Sequence, residues 1–358
     1  MTRPPDRSEG RRRGARSRIL LNAALATAGA AGLALFGATL VAESVIAASH
    51  SGEDLFTHSS ARLAAAPPPA LPRVILLFGD SGAASPELRR NAAAMAHEKA
   101  DFAIHAGDVS YHGPIEYGRF RGTVDDLPFP VFAVPGDHDR DADPEMTEFD
   151  RSIGGRNRSI DRGDVRVVFL DTSDETVDEN VLERLEAELG REGAPRFSIV
   201  VTHCPPCEPH RKYPDEMGHG HALKNVAAAR KFMSILEEKG VDLLVCGHVH
   251  AFSDSMMGAT RVVVTGGGGR DVEPGESFHY VRVTLDDPIR VEEVITAAGH
   301  DGSSARHLGD SFVVLLLRYG RTAGAGTLAA AALLLVARGV ASGIDRRRAA
   351  LASEREAS

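Results

Sequence analysis

The chain has 358 residues, 43% hydrophobic and 25% charged, with three cysteines and a net charge of −9. This composition excludes a disordered, a collagen-like or a polytopic membrane chain, and three cysteines exclude a disulfide-scaffold mini-domain. The ends are basic (seven Arg and two acids over 1–18, four Arg and three acids over 345–358), which leaves about −15 on residues 19–344, so no nucleic-acid partner is expected for so acidic a surface.

Residues 1–18 read as a basic cytoplasmic tail. Residues 19–42 carry no charge over 24 positions, against the ~20 that cross a bilayer core. A cleavable signal has an apolar run of only ~7–15 residues and a small-x-small exit, which Ala47-Ala48-Ser49 matches poorly. The segment therefore reads as a membrane anchor. The alternative is a cleaved signal and a secreted or periplasmic product. Residues 43–72 read as an Ala/Pro-rich linker, semi-rigid over 61–72, and 73–300 as the folded domain.

Within that domain, short β-branched runs alternate with helical patterns, as in α/β architectures. Strands are expected at Val74–Phe78, Phe102–His105, Val131–Val134, Val165–Leu170, Ser198–Thr202, Leu243–Cys246 and Val262–Thr265. Helices are expected from Ser85-Pro86-Glu87 onward, with Ser as N-cap and Pro at the first position, and over 178–189 and 222–239. Strands at 278–285 and 289–295 suggest an antiparallel addition. Residues 301–321 form a juxtamembrane segment. Residues 322–344, charged only at a snorkelling Arg338, read as a C-terminal membrane helix or as an Ala-rich helix on the domain. With 345–358 as a second tail, Arg clusters outside both apolar segments put the tails in the cytoplasm. The expected location is the cell membrane, with the lipid bilayer as partner and the acidic domain outside the cytoplasm.

Five of the strands end abruptly in Asp, His or Gly: Gly79-Asp80-Ser81-Gly82, Gly107-Asp108-Val109-Ser110-Tyr111, Gly136-Asp137-His138-Asp139, His203, and Gly247-His248-Val249-His250. Ligands collect beyond the carboxyl ends of strands in open α/β sheets. Three carboxylates and several imidazoles gathered there would repel or go unsatisfied without cations. Mixed oxygen and nitrogen donors suit Zn, Mn or Fe better than Ca, and the excess of ligands over one tetrahedral set suggests two ions sharing a carboxylate. The glycines are expected to let the backbone turn sharply.

These motifs resemble the calcineurin-like metallophosphoesterases over about 73–295, and within them the purple-acid-phosphatase-like branch. That branch opens with Asp-x-Gly and continues with Gly-Asp-x-x-Tyr, met here by Asp80, Gly82, Asp108 and Tyr111. Ser/Thr protein phosphatases carry Gly-Asp-x-x-Asp-Arg-Gly, where this chain reads Gly-Asp-Val-Ser-Tyr-His-Gly at 107–113. The resemblance implies a four-layer α/β/β/α sandwich and a hydrolase of small phosphate esters, attacking in line through a metal-activated hydroxide. It implies one metal held by Asp80, Asp108, Tyr111 and His250, and a second held by Asp108, Asp137, His203 and His248. The metals would be two divalent or trivalent ions (Fe, Zn or Mn). His138 would serve as proton donor or charge stabiliser, oriented by Asp139. The family usually has Asn at the position of Asp137, so the alternative is a metal-binding ectodomain with weak or no turnover.

Other features read as structural. His105 and His112 flank motif residues and are expected to pack or hydrogen-bond. Gly218-His219-Gly220-His221 follows no apolar strand and reads as a loop at the cleft mouth. Cys204-Pro205-Pro206-Cys207 is compatible with a local disulfide outside the cytoplasm, and Cys246 reads as a buried thiol. Gly266–Gly269 precedes Arg270-Asp271 instead of Lys-Ser/Thr, so it is no P-loop.

Overall fold

The computed structural model describes residues 26–41, 52–67, 73–82, 85–111, 114–193, 195–207, 220–299, 322–327 and 330. Two compact units emerge, one from the chain ends (1–44 and 315–358) and one from 45–314. In the first, the described residues are helical over 26–41 and 322–327. Among the described residues no helix is long and apolar enough to cross a membrane. The remainder of both expected membrane segments, 19–25 with 42 and most of 328–344, lies outside the described residues, as do the tails and 301–321.

The second unit is built on two sheets. Strands β1 (Arg73–Phe78), β2 (Phe102–His105) and β3 (Val131–Ala133) run parallel, and β10 (Ser277–Leu285) and β11 (Arg290–Ala298) add antiparallel beside β1, giving the order β11-β10-β1-β2-β3. The other sheet has the order β4-β5-β6-β7-β9-β8. Its parallel centre is β5 (Val165–Phe169), β6 (Phe197–Val201), β7 (Leu243–Cys246) and β9 (Thr260–Thr265). Antiparallel edges are β4 (Arg158–Arg162) and β8 (Phe252–Met257).

Side-chain alternation explains the layering, because successive strand residues face opposite sides. Ile75 and Leu77 of β1 face Val167, Phe169, Ile199, Val201 and Val245 between the sheets. Leu76 and Phe78 turn outward onto helix α2 (Pro86–Met95) and helix α3 (Pro114–Val124), meeting Leu88, Met95 and Phe120. Val168, Val200 and Leu244 turn outward onto α6 (Glu179–Leu189) and α7 (Val226–Glu238) through Leu182, Leu185, Phe232 and Leu236. Strands covered on both faces read as unbroken hydrophobic runs, and the result is the expected α/β/β/α sandwich.

The expected linker is corrected. Leu55–Ala65 forms a helix, α1, whose N-cap Asp54 accepts from the Thr57 N–H. Leu55, Phe56 and Leu63 are buried in the domain core. An Ala-rich sequence carrying apolar side chains at 55, 56 and 63 supplies a helical stripe, and the Pro-rich part that suggested a linker begins after it. Two more differences concern β4 and β8, unrecognised in the sequence because edge strands with a solvent face read as polar segments.

Candidate metal centre

All five ligand-bearing strands deliver their side chains to one end of the seam between the sheets. Parallel register does part of the alignment: Phe78 pairs with His105, and His105 with Ala133. The residues just beyond these pairs are therefore neighbours, with the Asp80 N–H donating to the Gly107 carbonyl and the His138 N–H donating to Asp108 Oδ1 at 3.1 Å. Cross-sheet bonds close the seam. The His248 N–H donates to the Asp80 carboxylate at 3.1 Å, and the Arg270 N–H donates to the Asp80 carbonyl.

Asp80, Asp108 and His248 themselves adopt positive φ (55°, 55° and 68°). Such left-handed conformations are uncommon outside glycine and cluster at functional sites. Of the glycines expected to make the turns, Gly107 does so at φ 99°, while at Asp80, Asp108 and His248 the ligand residue itself bends. A Cβ at Gly136 would fall 2.0 Å from Asp108 Oδ1, so this glycine is required for close approach of backbone to ligand.

Three overlapping ligand groups result, and Asp108 belongs to two of them. Asp80, Asp108 and His203 bring ligand atoms within 4.8 Å of one another, as do Asp108, Asp137 and His138, and also Asp137, His203 and His248. Asp137 Oδ1 lies 2.9 Å from both His203 Nε2 and His248 Nδ1, and those two nitrogens are 3.2 Å apart. On the other side, Tyr111 Oη lies 3.0 Å from His250 Nε2, which is 3.5 Å from Asp80 Oδ1. His203 Nδ1–H donates to the Ala106 carbonyl at 2.8 Å. That bond fixes the ring and leaves Nε2 facing the carboxylates, the arrangement metal-binding histidines use.

Electrostatics show what this donor set requires. Burial opposes charge on His203, yet Asp108, Asp137 and Asp80 raise its pKa well above the ordinary value. Burial likewise opposes ionisation of Asp137, but hydrogen bonds from His203 and His248 hold its carboxyl far below the usual range. Asp80 is also held low against its burial, first by the hydrogen bond to His250. Asp108, enclosed with Asp137 and Asp80, is pushed up by burial. Three carboxylates thus draw positive charge into a buried nest of oxygen and nitrogen donors, and this set fits metal cations.

A family model for calcineurin-like phosphoesterases matches residues 73–252. The chain belongs to that family. Among solved structures, purple acid phosphatase PPD1 from yellow lupin (Lupinus luteus) seeds is similar, with a TM-score of 0.53 and 18% identity, over 64% of this chain and 52% of that one. The GAP50 anchor in the inner membrane complex of Plasmodium has a TM-score of 0.51 at 13% identity, over 68% of this chain and 94% of that one. At such identities these likenesses show the fold. No curated protein matches the sequence at a significant level.

The phosphoesterase domain brings Asp80, Asp108, Tyr111, Asp137, His138, His203, His248 and His250 together. His138 stands at the cleft mouth, its side chain 42% exposed and its ring 4.0 Å from that of Tyr111. Asp139 is a correction: its carboxylate does not orient His138. It accepts from the Gly136, Val109 and Ser110 N–H groups at 2.9–3.1 Å and braces the Asp108 loop. At the third position of the short helix α4 (Asp137–Ala142), a carboxylate reaches back to the free N–H groups of the helix start.

The remaining expectations divide. His105 packs between Phe78 and Phe120, with Nε2 2.9 Å from Ser81 Oγ and its pKa pushed down to about 3 by burial. His112 and 208–219 lie outside the described residues, but His221 stands edge-on to His248 at 5.3 Å. No disulfide joins Cys204 to Cys207, so the expected local bridge is not formed. Cys246 is buried, as expected, and its thiol is pushed up to about 12.

Arg270 was not recognised in the sequence as part of the site. Its guanidinium lies 4.2 Å from the centre of the Tyr111 ring. Gly82, with φ +48°, makes room for both, since a Cβ there would meet the Tyr111 ring at 3.2 Å and Arg270 Cδ at 3.5 Å. The only signal was the glycine run after β9, which carries the next residue to the strand ends. A cation over an aromatic face contributes ~0.5–2 kcal/mol. Arg270→Met is therefore expected to weaken Mn binding at the Tyr111 side by up to about 30-fold, read by calorimetric titration; unchanged affinity would exclude this support.

Proposed function

We propose that the domain is a two-metal phosphohydrolase of small phosphate esters, with a ligand set like that of the acid phosphatases, tethered at the membrane with its site outside the cytoplasm. The observation that carries the reading is a chain of shared donors: Asp108 groups with Asp80 and His203 and again with Asp137 and His138, and Asp137 groups in turn with His203 and His248, more donors than a single ion needs. Asp80, Asp108, Tyr111 and His250 would hold one cation, and Asp108, Asp137, His203 and His248 the other. When bound, such a pair supplies Lewis acidity toward the phosphoryl oxygens and acidifies the attacking water.

The protein's own groups do the rest. Asp80 is fixed by the His248 N–H, and Asp108 by the His138 N–H, so the negative charges that balance the cations are held before substrate arrives. His138, supported on the Tyr111 ring, is free at the mouth to pass a proton to the departing alkoxide. A positioned acid contributes ~10²–10⁴ in rate. His138→Ala is accordingly expected to lower kcat by about that factor with unchanged metal content. A loss of metal in this variant would reassign His138 from proton donor to ligand.

The test of the whole reading is elemental analysis of the purified protein beside hydrolysis of p-nitrophenyl phosphate and its bis ester with Mn, Zn and Fe. Two ions per chain and chelator-sensitive turnover are expected. Metal without turnover on any ester or pyrophosphate would favour the metal-binding ectodomain. Tethering rests on the charge-free 19–42, the apolar 322–344 and the Arg clusters outside them. Protease treatment of intact cells should digest the domain, and protection would overturn the orientation.

A further inference from the structure

We propose that Asp137 is a specificity residue whose charge favours singly charged phosphodiesters over doubly charged phosphomonoesters. The inference rests on the hydrolase reading above and names the substrate class of that same site. Of the three acids at the centre, Asp80 and Asp108 are enclosed, with side chains 0% and 1% exposed, whereas the Asp137 side chain is 20% exposed. Its Oδ1 is engaged by His203 and His248 at 2.9 Å, while Oδ2 lies 3.9 Å from Nε2 of His138. The carboxylate therefore faces the cleft beside the group placed to meet the leaving oxygen, and an entering substrate feels its charge directly.

Two divalent cations carry four positive charges against three carboxylates, leaving one to attract the substrate. A diester monoanion neutralises that remainder, but a monoester dianion overshoots it. One unit charge about 6 Å away at an effective dielectric of about 20 alters the affinity for a second by about 100-fold, and the two esters differ by one such charge. In the reaction, water adds to phosphorus and the bond to one ester oxygen breaks. One proton of the water goes to the departing alkoxide and the other to solvent, leaving an alcohol and a monoester dianion. That dianionic product is repelled by the same carboxylate and leaves uncleaved.

The test compares the native protein with Asp137→Asn, which removes the charge at constant shape, and Asp137→Glu, which keeps it. All are assayed with added Mn at concentrations giving equal metal content, at about pH 8, above the second phosphoester pKa of about 6. The native protein should prefer bis-p-nitrophenyl phosphate to p-nitrophenyl phosphate in kcat/KM. Asp137→Asn should move that ratio about 100-fold toward the monoester, and Asp137→Glu should hold the native preference. Calorimetric titration with inorganic phosphate and with dimethyl phosphate should show the same relative shift without turnover. An unchanged ratio in Asp137→Asn, or a loss of preference in Asp137→Glu, overturns the inference while leaving the hydrolase reading intact. Absence of turnover on either ester by the native protein overturns the hydrolase reading, and the two titrations then still decide whether Asp137 discriminates by charge.

Discussion

Asp108→Asn is expected to empty both halves of the metal centre and to abolish turnover while leaving the fold intact. In the proposed assignment Asp108 serves both cations, and it groups with Asp80 and His203 as well as with Asp137 and His138, so its loss removes a negative ligand from each cation at once. Losing a partner that merely orients a ligand costs ~10–100-fold in metal affinity, and a shared direct ligand should cost more than ~100-fold at each position. Asn has the same shape and tolerates the left-handed conformation that Asp108 adopts at φ 55°. Burial and the neighbouring Asp137 and Asp80 oppose the Asp108 charge. A carboxyl whose pKa is raised on folding costs stability above its unfolded pKa, so the neutral amide should hold or raise the melting temperature of the metal-free protein at neutral pH. Elemental analysis with a thermal melt checks both statements. Retention of two ions per chain would show that Asp108 is not shared.

Phe56→Ala is expected to cause a large loss of stability. The Phe56 ring meets Phe132 of β3 at 5.3 Å and Phe169 of β5 at 5.7 Å, both edge to face, so it joins one strand of each sheet. Ser59 Oγ donates to the Val131 carbonyl at 2.6 Å and accepts from the Val131 N–H at 3.2 Å, closing the open edge of β3. Truncating a buried Phe costs ~3–5 kcal/mol, which at ~2–4 °C per kcal/mol corresponds to a fall in melting temperature of about 10 °C. A chain beginning at residue 73 loses α1 altogether and should not form a soluble folded domain. A shift below about 2 °C in Phe56→Ala, followed by circular dichroism, would return 52–66 to the status of a linker.

The contrast between α1 and the central strands shows where sequence reasoning succeeds. Val167–Phe169 and Leu243–Cys246 are recognisable alone, because a strand stretch covered on both faces needs apolar residues at every position. The chemistry was equally legible: Asp80, Asp108, Asp137, His203, His248 and His250 each interrupt or follow such a run, where a charged residue has no packing role. Residues 158–162 and 252–257 have one solvent face, so their polar residues hide the strand. The role of Arg270 depends on where the Tyr111 ring lies, a cross-sheet relation with no local pattern. Asp139 was misassigned because adjacency to His138 in the chain says nothing about direction, and a helix-start carboxylate turns back to the free N–H groups.

The amino-acid order by itself determined the α/β alternation of the core and the set of groups able to hold cations, since both follow from local patterning and from polar residues placed where strands stop. The tertiary structure alone decided that Asp137 is the acid facing the cleft and that α1 belongs to the core. Those facts depend on distances between segments far apart in sequence, fixed by sheet register and by the packing of one sheet on the other.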